Sequence, residues 1–472
     1  MPYKEELLHY VWKFRLYPSG PLETLDGQKV EVIDPGMHNP HAGPDFFNAK
    51  IRIGDKVWAG DVEIHRSSDE WERHGHHTDK AYNSVILHLS ERVNRTVVNE
   101  KGQQIPQCEL IVPGEVRKNA AYLIHSNGPV PCKDHLSSLS APFIHSFLGA
   151  LSIERLERKT NDIYIYLDRF CQSWEEALYV LLTRNFGFGL NADAFERLAL
   201  SLPFNYIRRH GDSLFQVEAL LFGQAGLLEE EDARDVSGGQ EVRKDGKTGG
   251  SQEVQASRGI GKTKETAETQ KTAEIPRMED DYFLQLQSEY RFLKNKYSLT
   301  PLENYLFKRM RVRPPSFPEM RIAQLAALLQ SSGRLFSMVL EREGIDEWMS
   351  LFHASPSVYW HTHYSFGKRS PEAAGQLGSA SRQILLINTV APMLFAYGKK
   401  TAAEIYCDRA IHLLESLKPE KNVIVSEFRK AGVIPRNAFD TQALIQLRKA
   451  YCDPRKCLFC RIGHTLLSRS EK

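Results

Sequence analysis

The fold of the N-terminal part of the chain is decided by residues 46–65, which read FFNAKIRIGDKVWAGDVEIH. Two runs of alternating apolar and polar residues, 46–53 and 57–65, flank the short turn GDK. Such runs on either side of a turn that contains glycine predict a β-hairpin. Because alternate residues of a strand share a face, three ionisable side chains of the second strand should lie side by side: Asp61, Glu63 and His65.

This pattern indicates a metal site, although a D-x-E sequence also occurs on solvated strand faces. Neighbouring carboxylates in a partly buried site repel each other and need a cation or a shared proton. Mg²⁺ and Mn²⁺ bind carboxylate oxygens and keep several waters. Asp45 opens the first strand, and a hairpin places that position beside the end of the second strand. We therefore expect a Mg²⁺ or Mn²⁺ site built from Asp45, Asp61 and Glu63.

A Gly-Pro-Asp that opens one strand and a Glu-x-His that ends the next resemble the core of the PD-(D/E)XK nucleases. The resemblance implies an N-terminal mixed α/β domain over residues 1–125, with Asp45 and Glu63 as metal ligands. It also implies an acidic residue on the first helix, for which Glu5 is the candidate. His65 stands where that superfamily has lysine, which is a departure from its pattern.

The activity that this resemblance implies is metal-dependent hydrolysis of phosphodiesters in DNA or RNA. The ion would lower the pKa of a bound water and stabilise the charge on phosphate. His65 would orient that water or contact the scissile phosphate. A histidine of ordinary pKa is mostly neutral at pH 7, so it replaces the lysine charge only if nearby carboxylates raise its pKa.

The abundance of histidine supports a different metal site, since eight of the 17 histidines fall within the first 88 residues. This alternative is a His/Asp metallohydrolase built on His65, His74, His77 and Asp79, with His88 on the following strand. The spacing matches no standard zinc motif. In a nuclease the same residues would support the metal ligands. A third interpretation is a catalytically inactive nucleic-acid-binding or interaction protein that retains the fold.

The remainder of the chain is mainly helical in period, so the predicted class is α+β. The helical domain comprises residues 140–228 and 278–450. Residues 229–277 contain no aromatic residue and are predicted to form a disordered insertion. Within the N-terminal part, residues 69–83 predict a short helix and residues 95–112 a further hairpin. Four arginines of the helical domain are candidates for contact with nucleic acid, or for an ion-paired helix edge: Arg309, Arg311, Arg313 and Arg321.

The C-terminal segment, residues 451–472, has the cysteine spacing C-x4-C-x2-C followed by a histidine. C-x2-C is the part of such patterns most specific for metal binding. The predicted ligands are Cys452, Cys457, Cys460 and His464, and they would hold zinc or an iron–sulfur cluster with a structural role. A distant thiol is an alternative fourth ligand, from Cys132, Cys171 or Cys407. Reduced cysteines packed as small hydrophobic residues are the simpler explanation.

The bulk composition limits the classes of partner. A net charge of +2 produces no strong overall field toward nucleic acid or membrane, so any such site must be local. The longest apolar run, residues 384–397, is too short to cross a bilayer and contains proline. Seven cysteines without a disulfide pattern indicate a reducing compartment. We therefore expect a cytoplasmic protein without a membrane partner.

Seven phrases along the chain together resemble a bacterial family of unknown function, DUF2851. The resemblance extends over nearly the whole chain apart from residues 229–277, and it implies no activity. The phrases are LLHYVWKFRL, GPDFFNAKIRIG, GDVEIHRSSDEW, VEALLFGQAGLL, RPPSFPEMRIAQLA, INTVAPMLFAYG and CLFCRIG.

Overall fold

The computed structural model describes residues 5–18, 22–229, 280–331, 333–353, 355–370 and 375–468. The predicted insertion at 229–277 lies outside the described residues, except for Glu229. The chain divides into two compact units, which are described separately. Unit 1 comprises residues 1–158 and 411–472, and unit 2 comprises residues 159–410.

Unit 1 is built on a seven-stranded mixed sheet that follows a short helix, α1 (Glu6–Lys13). The sheet order is β1-β2-β4-β5-β6-β7, and β3 pairs with β4 outside this path. The strands are β1 (Leu22–Glu23), β2 (Lys29–Asp34), β3 (Met37–His38), β4 (Phe46–Ile53), β5 (Lys56–Ser67), β6 (Val85–Arg92) and β7 (Gln107–Glu109).

The predicted hairpin of residues 46–65 is confirmed as β4 and β5. These strands are antiparallel, with Ile53 opposite Lys56 across the turn. β6 then pairs with β5 in parallel, after a connection that contains α2 (Glu70–Arg73) and two 3₁₀ turns, His76–Thr78 and Lys80–Tyr82. The helix predicted over 69–83 is therefore interrupted.

The hairpin predicted over residues 95–112 is shorter than predicted. An antiparallel bridge joins Val98 to Gln104, the Ile105 N–H donates to the Val97 carbonyl at 3.1 Å, and β7 then pairs with β6 in parallel. The pairing ends at Gln107, whose side chain accepts a hydrogen bond from the Val97 N–H at 3.0 Å and donates to the Arg95 carbonyl at 2.9 Å. A side chain thus satisfies backbone groups that a longer hairpin would have paired.

Apolar side chains on one face of the central strands hold these strands in place. Val62, Ile64, Leu87 and Leu89 are fully buried, and α1 buries Trp12 against the same core. Each such side chain contributes about 1.5–3 kcal/mol through its removal from water. The C-terminal half of β5, which carries Glu63 and His65, is consequently a rigid central part of unit 1.

The helices of unit 1 follow the sheet and return near the end of the chain. They are α3 (Gly114–His125), the start of α4 (Ala141–Arg169), the end of α15 (Glu404–Ser416), α16 (Val423–Lys430), α17 (Ala438–Gln446) and α18 (Arg461–Leu467). A π-helical segment, Leu447–Cys452, and a 3₁₀ turn, Cys457–Phe459, lie between α17 and α18.

Unit 2 is mainly helical, as predicted for this part of the chain. A two-stranded ribbon, β8 (His363–Ser365) and β9 (Lys368–Arg369), accompanies the helices. Its helices are α5 (Trp174–Phe186), α6 (Ala192–Ser201), α7 (Phe204–Arg209), α8 (Leu214–Gln224), α9 (Asp281–Tyr297), α10 (Pro318–Ser331), α11 (Leu335–Glu341), α12 (Ile345–Leu351), α13 (Ser379–Leu385) and α14 (Ala391–Thr401). Among the described residues of both units, no helix combines the length and apolar character needed to cross a bilayer.

Candidate functional site

Asp45 and Glu63 meet at the end of the β4–β5 hairpin, as the sequence predicts. The Asp45 backbone N–H donates to Glu63 Oε2 at 3.0 Å. In return, the Ile64 N–H donates to Asp45 Oδ2 at 2.9 Å. Each carboxylate is therefore fixed by the backbone of the opposite strand, while Glu63 itself is 5% exposed.

Two imidazoles contact the other oxygen of Glu63, and a third lies beside them. One ring nitrogen from each of His65, His74 and His76 lies within 4.8 Å of the others. Glu63 Oε1 is 3.5 Å from His65 Nε2 and 3.3 Å from His76 Nε2. We call these four residues the Glu–His cluster. Among the described residues, it contains the one group of three or more His, Cys, Asp or Glu ligand atoms at this spacing.

The backbone explains how residues from different elements converge here. β5 carries Glu63 and His65 on neighbouring positions of one face. His74 ends α2, and Gly75 then adopts a left-handed conformation with φ of 80°. This turn reverses the chain so that His76, in the following 3₁₀ turn, returns toward β5. Glycine suits the position because side chains disfavour positive φ.

His88 of β6 contacts His65 of the Glu–His cluster. Its Nε2 lies 2.9 Å from His65 Nδ1, and its ring is fully buried. If His65 Nδ1 donates this hydrogen bond, His65 Nε2 presents a lone pair toward Glu63. A metal-ligating histidine commonly uses its second nitrogen in this way. His76 is held on its other side by Tyr82, whose ring stacks on it at 3.8 Å.

The first helix brings two further ionisable groups to the site. His9 Nε2 lies 3.2 Å from Asp45 Oδ2. Glu5, four residues earlier on the same helix face, is close enough for its charge to interact with Asp45 and His9. The sequence analysis identified Glu5 and overlooked His9. The signal for His9 was its i+4 spacing from Glu5 at the start of the predicted helix.

Burial favours the neutral form of the three buried histidines at this site, His65, His76 and His88. It lowers the pKa of His65 to about 2, with help from the neighbouring His88 and His76, and that of His88 to about 3. It also lowers the pKa of His76. Neutral imidazoles have free lone pairs, which is the form that binds a metal ion.

The two acidic groups beside them behave differently from free carboxylates. Burial, and then the negative charge of Asp45, raises the pKa of Glu63 well above its ordinary value. Burial and Asp45 also raise the pKa of Glu5. In His9, burial lowers the pKa, but its contact with Asp45 more than offsets this, so the pKa of His9 is raised. Of these two histidines, His9 is therefore the one in which the protonated form is favoured.

These features fit a divalent metal ion. Three imidazoles provide donors, a carboxylate oxygen of Glu63 lies near two of them, and a bound cation would allow the buried Glu63 to ionise. Imidazole-rich donor sets suit Zn²⁺ and Fe²⁺, whereas Mg²⁺ prefers oxygen ligands and water. Of the two ions expected from the sequence, Mn²⁺ is thus better matched to the Glu–His cluster than Mg²⁺.

Three predicted ligands do not join this group. Asp61 is occupied at the strand edge, where its oxygens accept from the Asn48 N–H at 3.1 Å and the Ser84 hydroxyl at 2.6 Å. A bulge between Asp61 and Val62 disrupts the alternation on which the prediction relied. Asp79 is exposed and caps a 3₁₀ turn by accepting from the Ala81 N–H. His77 is half-buried and lies outside the group, because its neighbour His76 occupies that position.

Of the predicted C-terminal ligands, three come together and one does not. Cys452, Cys457 and Cys460 line a common cavity, in which Cys132 takes the fourth place. His464 does not line this cavity, and its Nδ1 is hydrogen-bonded to the Tyr10 hydroxyl at 2.7 Å.

The predicted arginine surface of unit 2 requires a correction. Arg321 is buried, its guanidinium donates to Gln324 and Ser316, and it stacks over Phe188 with 4.1 Å to the ring centroid. It cannot reach nucleic acid, because α10 is buried on nearly all sides rather than along one stripe. Arg309 pairs with the buried Glu319 at 2.8 Å. Arg311 and Arg313 are exposed.

Comparison with known proteins gives a family and no named activity. A family model described as "Protein of unknown function (DUF2851)" matches residues 5–423. The chain belongs to the DUF2851 family. The match to DUF2851 includes every residue of the Glu–His cluster and ends before Cys452. No curated protein and no solved structure matched the chain.

Proposed function

We propose that unit 1 is a metal-dependent hydrolase that cleaves phosphodiesters, and thus a nuclease. The observation that carries this proposal is the position of Glu63 between two sets of groups. Its Oε2 faces Asp45, and its Oε1 faces His65 and His76. An acidic pair at the end of a hairpin, beside neutral imidazoles, is the arrangement expected of a hydrolytic metal site.

The PD-(D/E)XK resemblance supports a phosphodiester as the substrate. It requires an acid that opens one strand, a second acid near the end of the next strand, and an acid on the first helix. Asp45, Glu63 and Glu5 occupy these positions, and Glu5 lies close to Asp45. The proposal therefore retains these three acids, with Glu63 as a ligand of the ion and with Asp45 and Glu5 beside it.

His9 can supply the positive charge that the superfamily places at the position of His65. The lysine of the superfamily would supply a positive charge beside the phosphate, but burial keeps His65 neutral. His9 holds a proton next to Asp45, and its side chain is 16% exposed. We infer that His9 contacts the phosphate, while His65 serves the metal ion.

The chain's own residues account for binding and positioning. Glu63, His65, His74 and His76 would hold the ion, and His88 would fix the tautomer of His65. When bound, the ion supplies Lewis-acid chemistry that activates water and neutralises phosphate charge. Substrate would approach from the side of His74, which is exposed, and of Asp45, which is 20% exposed.

The test is a cleavage assay of the full chain on labelled single- and double-stranded DNA and RNA with Mn²⁺, Mg²⁺ or Zn²⁺. We expect cleavage with Mn²⁺, reduced by more than about 100-fold in Asp45→Asn and Glu63→Gln, because both lose a charge that the ion requires. Asp61→Asn is the matched control, since Asp61 lies on the same strand but contacts Asn48 and Ser84. Cleavage that survives in both variants would refute the assignment.

A second candidate is a metallohydrolase that acts on another substrate class. The three-imidazole group favours it, because such a group serves ester and amide hydrolysis equally well. Manganese- or zinc-dependent turnover of carboxylic esters or peptides, without cleavage of any nucleic acid and lost in Glu63→Gln, would select this candidate.

A further inference from the structure

Four cysteines converge in unit 1, and one of them is far from the other three in sequence. Cys132 comes from the turn that follows α3, and Cys452, Cys457 and Cys460 come from the segment between α17 and α18. All four are buried and line one small cavity of about 20 Å³. The remaining lining is largely apolar, with Leu447 and Ile462 among it. A cavity in a core is unusual, because protein interiors are close-packed.

The spacing of the thiols argues against a single ion. Every pair among the four is close enough to interact electrostatically, and none forms a disulfide. Yet no three of these sulfurs lie within 4.8 Å of one another, unlike the imidazoles of the Glu–His cluster. Four thiolates on one zinc ion, with Zn–S of about 2.3 Å, are separated by only about 3.8 Å. The four sulfurs are therefore spread more widely than one zinc ion requires, as the ligands of a polynuclear cluster would be.

Burial raises the pKa of all four thiols, and polar groups around them act in the opposite direction. The backbone N–H groups of Ile462 and Gly463, at the start of α18, donate to the sulfur of Cys460. Arg455 acts on Cys457 and Arg448 on Cys452 as nearby positive charges. Buried thiols that served only as small hydrophobic residues would need neither donors nor cations. Hydrogen bonds to sulfur and nearby charge are the features that tune iron–sulfur sites.

The backbone at this site leaves no room for substitution at Gly463. A Cβ atom there would lie 2.0 Å from the carbonyl oxygen of Cys457. This close approach folds the turn of Cys457 onto the start of α18, so that both cysteines of the C-x2-C pair face the cavity.

We propose that Cys132, Cys452, Cys457 and Cys460 bind a [4Fe–4S] cluster that fastens the C-terminal segment to the turn after α3. The cluster has a structural role, and its assignment does not depend on the proposed hydrolase function. His464 is excluded from the ligand set, because it contacts Tyr10 and does not line the cavity.

The first test uses the full chain purified without oxygen from iron-supplied cells. We expect about four iron and about four acid-labile sulfide per chain, with the broad visible absorption and Mössbauer spectrum of a [4Fe–4S] cluster. One zinc per chain bound at these thiols, or protein without metal at this site after anaerobic reconstitution with iron and sulfide, would overturn the proposal. Metal at the Glu–His cluster is distinguished by measuring Glu63→Gln alongside.

The second test identifies the ligands. We expect Cys132→Ser to lose most of the iron and sulfide, and His464→Ala and Cys171→Ser to retain them. Cys171 is a matched control because it is exposed and lies in unit 2. Iron that is retained in Cys132→Ser and lost in His464→Ala would refute the ligand set. Should Cys132→Ser not fold, limited proteolysis of the wild-type protein before and after oxidative loss of the cluster replaces it. Cleavage must then increase within residues 451–468, and an unchanged pattern would refute the fastening role.

Discussion

The backbone N–H of Asp45 donates to Glu63 Oε2, and the Asp45 side chain accepts from the backbone N–H that follows Glu63. This reciprocal contact fixes both carboxylates before any ligand arrives. It also leaves Glu63 Oε1 directed at His65 and His76. Binding groups that are held in place in advance avoid an ordering cost when the ligand binds.

Glu63→Gln should abolish tight metal binding with little effect on the fold. Glutamine keeps the acceptor for the Asp45 N–H but removes the charge that the metal ion requires. Because loss of an outer-shell partner alone costs 10–100-fold in affinity, we expect the loss of Glu63 to exceed about 100-fold for Mn²⁺ or Zn²⁺ by calorimetry. Asp61→Asn should bind normally, and an equal loss in that variant would show that charge in general, not Glu63, governs binding.

His88→Leu should weaken metal binding although His88 itself holds no metal. It removes the partner that fixes the tautomer of His65, so we expect a loss of about 10–100-fold in affinity. His88→Gln, whose Oε1 can accept at the position of Nε2, should retain more affinity than His88→Leu. Equal affinities in the two variants would exclude the tautomer explanation.

Gly75→Ala should lower both stability and metal affinity. Its φ of 80° costs alanine about 1–2 kcal/mol, although no atom lies within 4 Å of the added Cβ. Relief of this strain would turn His74 and His76 away from each other. Gly102→Ala is the matched control, since Gly102 has φ of 73° and equally open surroundings. Urea unfolding should give similar losses of stability in both variants, and only Gly75→Ala should lose affinity.

The metal-free protein should be most stable near pH 6.5. Folded His65 and His88 stay neutral while the unfolded chain takes up protons below about pH 6.5, so stability falls as the medium becomes more acidic. Glu63 has the opposite sign. Because the pKa of Glu63 is raised in the folded chain, folded Glu63 keeps a proton that the unfolded chain releases above pH 4.5. Stability therefore falls as the pH rises from 4.5 toward the pKa of folded Glu63.

Unfolding midpoints between pH 5.5 and 8 test this linkage. Glu63→Gln should remove an alkaline slope of about 1.4 kcal/mol per pH unit. Saturating metal should remove it as well, because bound metal keeps Glu63 ionised. An unchanged slope in Glu63→Gln would mean that other groups control the alkaline side.

Arg321→Ala should destabilise unit 2 rather than weaken any contact with nucleic acid. The guanidinium is buried among hydrogen-bond acceptors and stacks on Phe188. Its loss should cost about 2–4 kcal/mol, since it leaves a cavity and unpaired polar groups. The exposed Arg313 provides the control, and Arg313→Ala should change the unfolding free energy by less than about 0.5 kcal/mol. Comparable unfolding free energies for the two variants would contradict the burial of Arg321.

The β4–β5 hairpin and the meeting of Asp45 with Glu63 could be predicted from the sequence for one physical reason. A two-residue period and a glycine-containing turn determine both the strands and their pairing. The alternation failed at Asp61, where bulges intervene and Asn48 takes a left-handed conformation. The Asn48 N–H then holds Asp61 at the strand edge. Bulges of this kind leave no clear signal in a single sequence.

Other parts of the site depend on packing between distant segments. The choice of His76 over His77 follows from the turn at Gly75 and the stacking of Tyr82, neither of which is visible in periodicity. His9 reaches Asp45 only because α1 docks against β5. Cys132 was one of three candidates for a fourth thiol, and only the folded chain distinguishes it from Cys171 and Cys407.

Adjacent residues of α1 face different sites. His9 contacts Asp45, and Tyr10 contacts His464 on α18, four residues after Cys460. A small rotation of this eight-residue helix would therefore change both contacts at the same time. Occupancy of the cysteine cavity and affinity at the Glu–His cluster should then be linked, with the same coupling free energy in either direction.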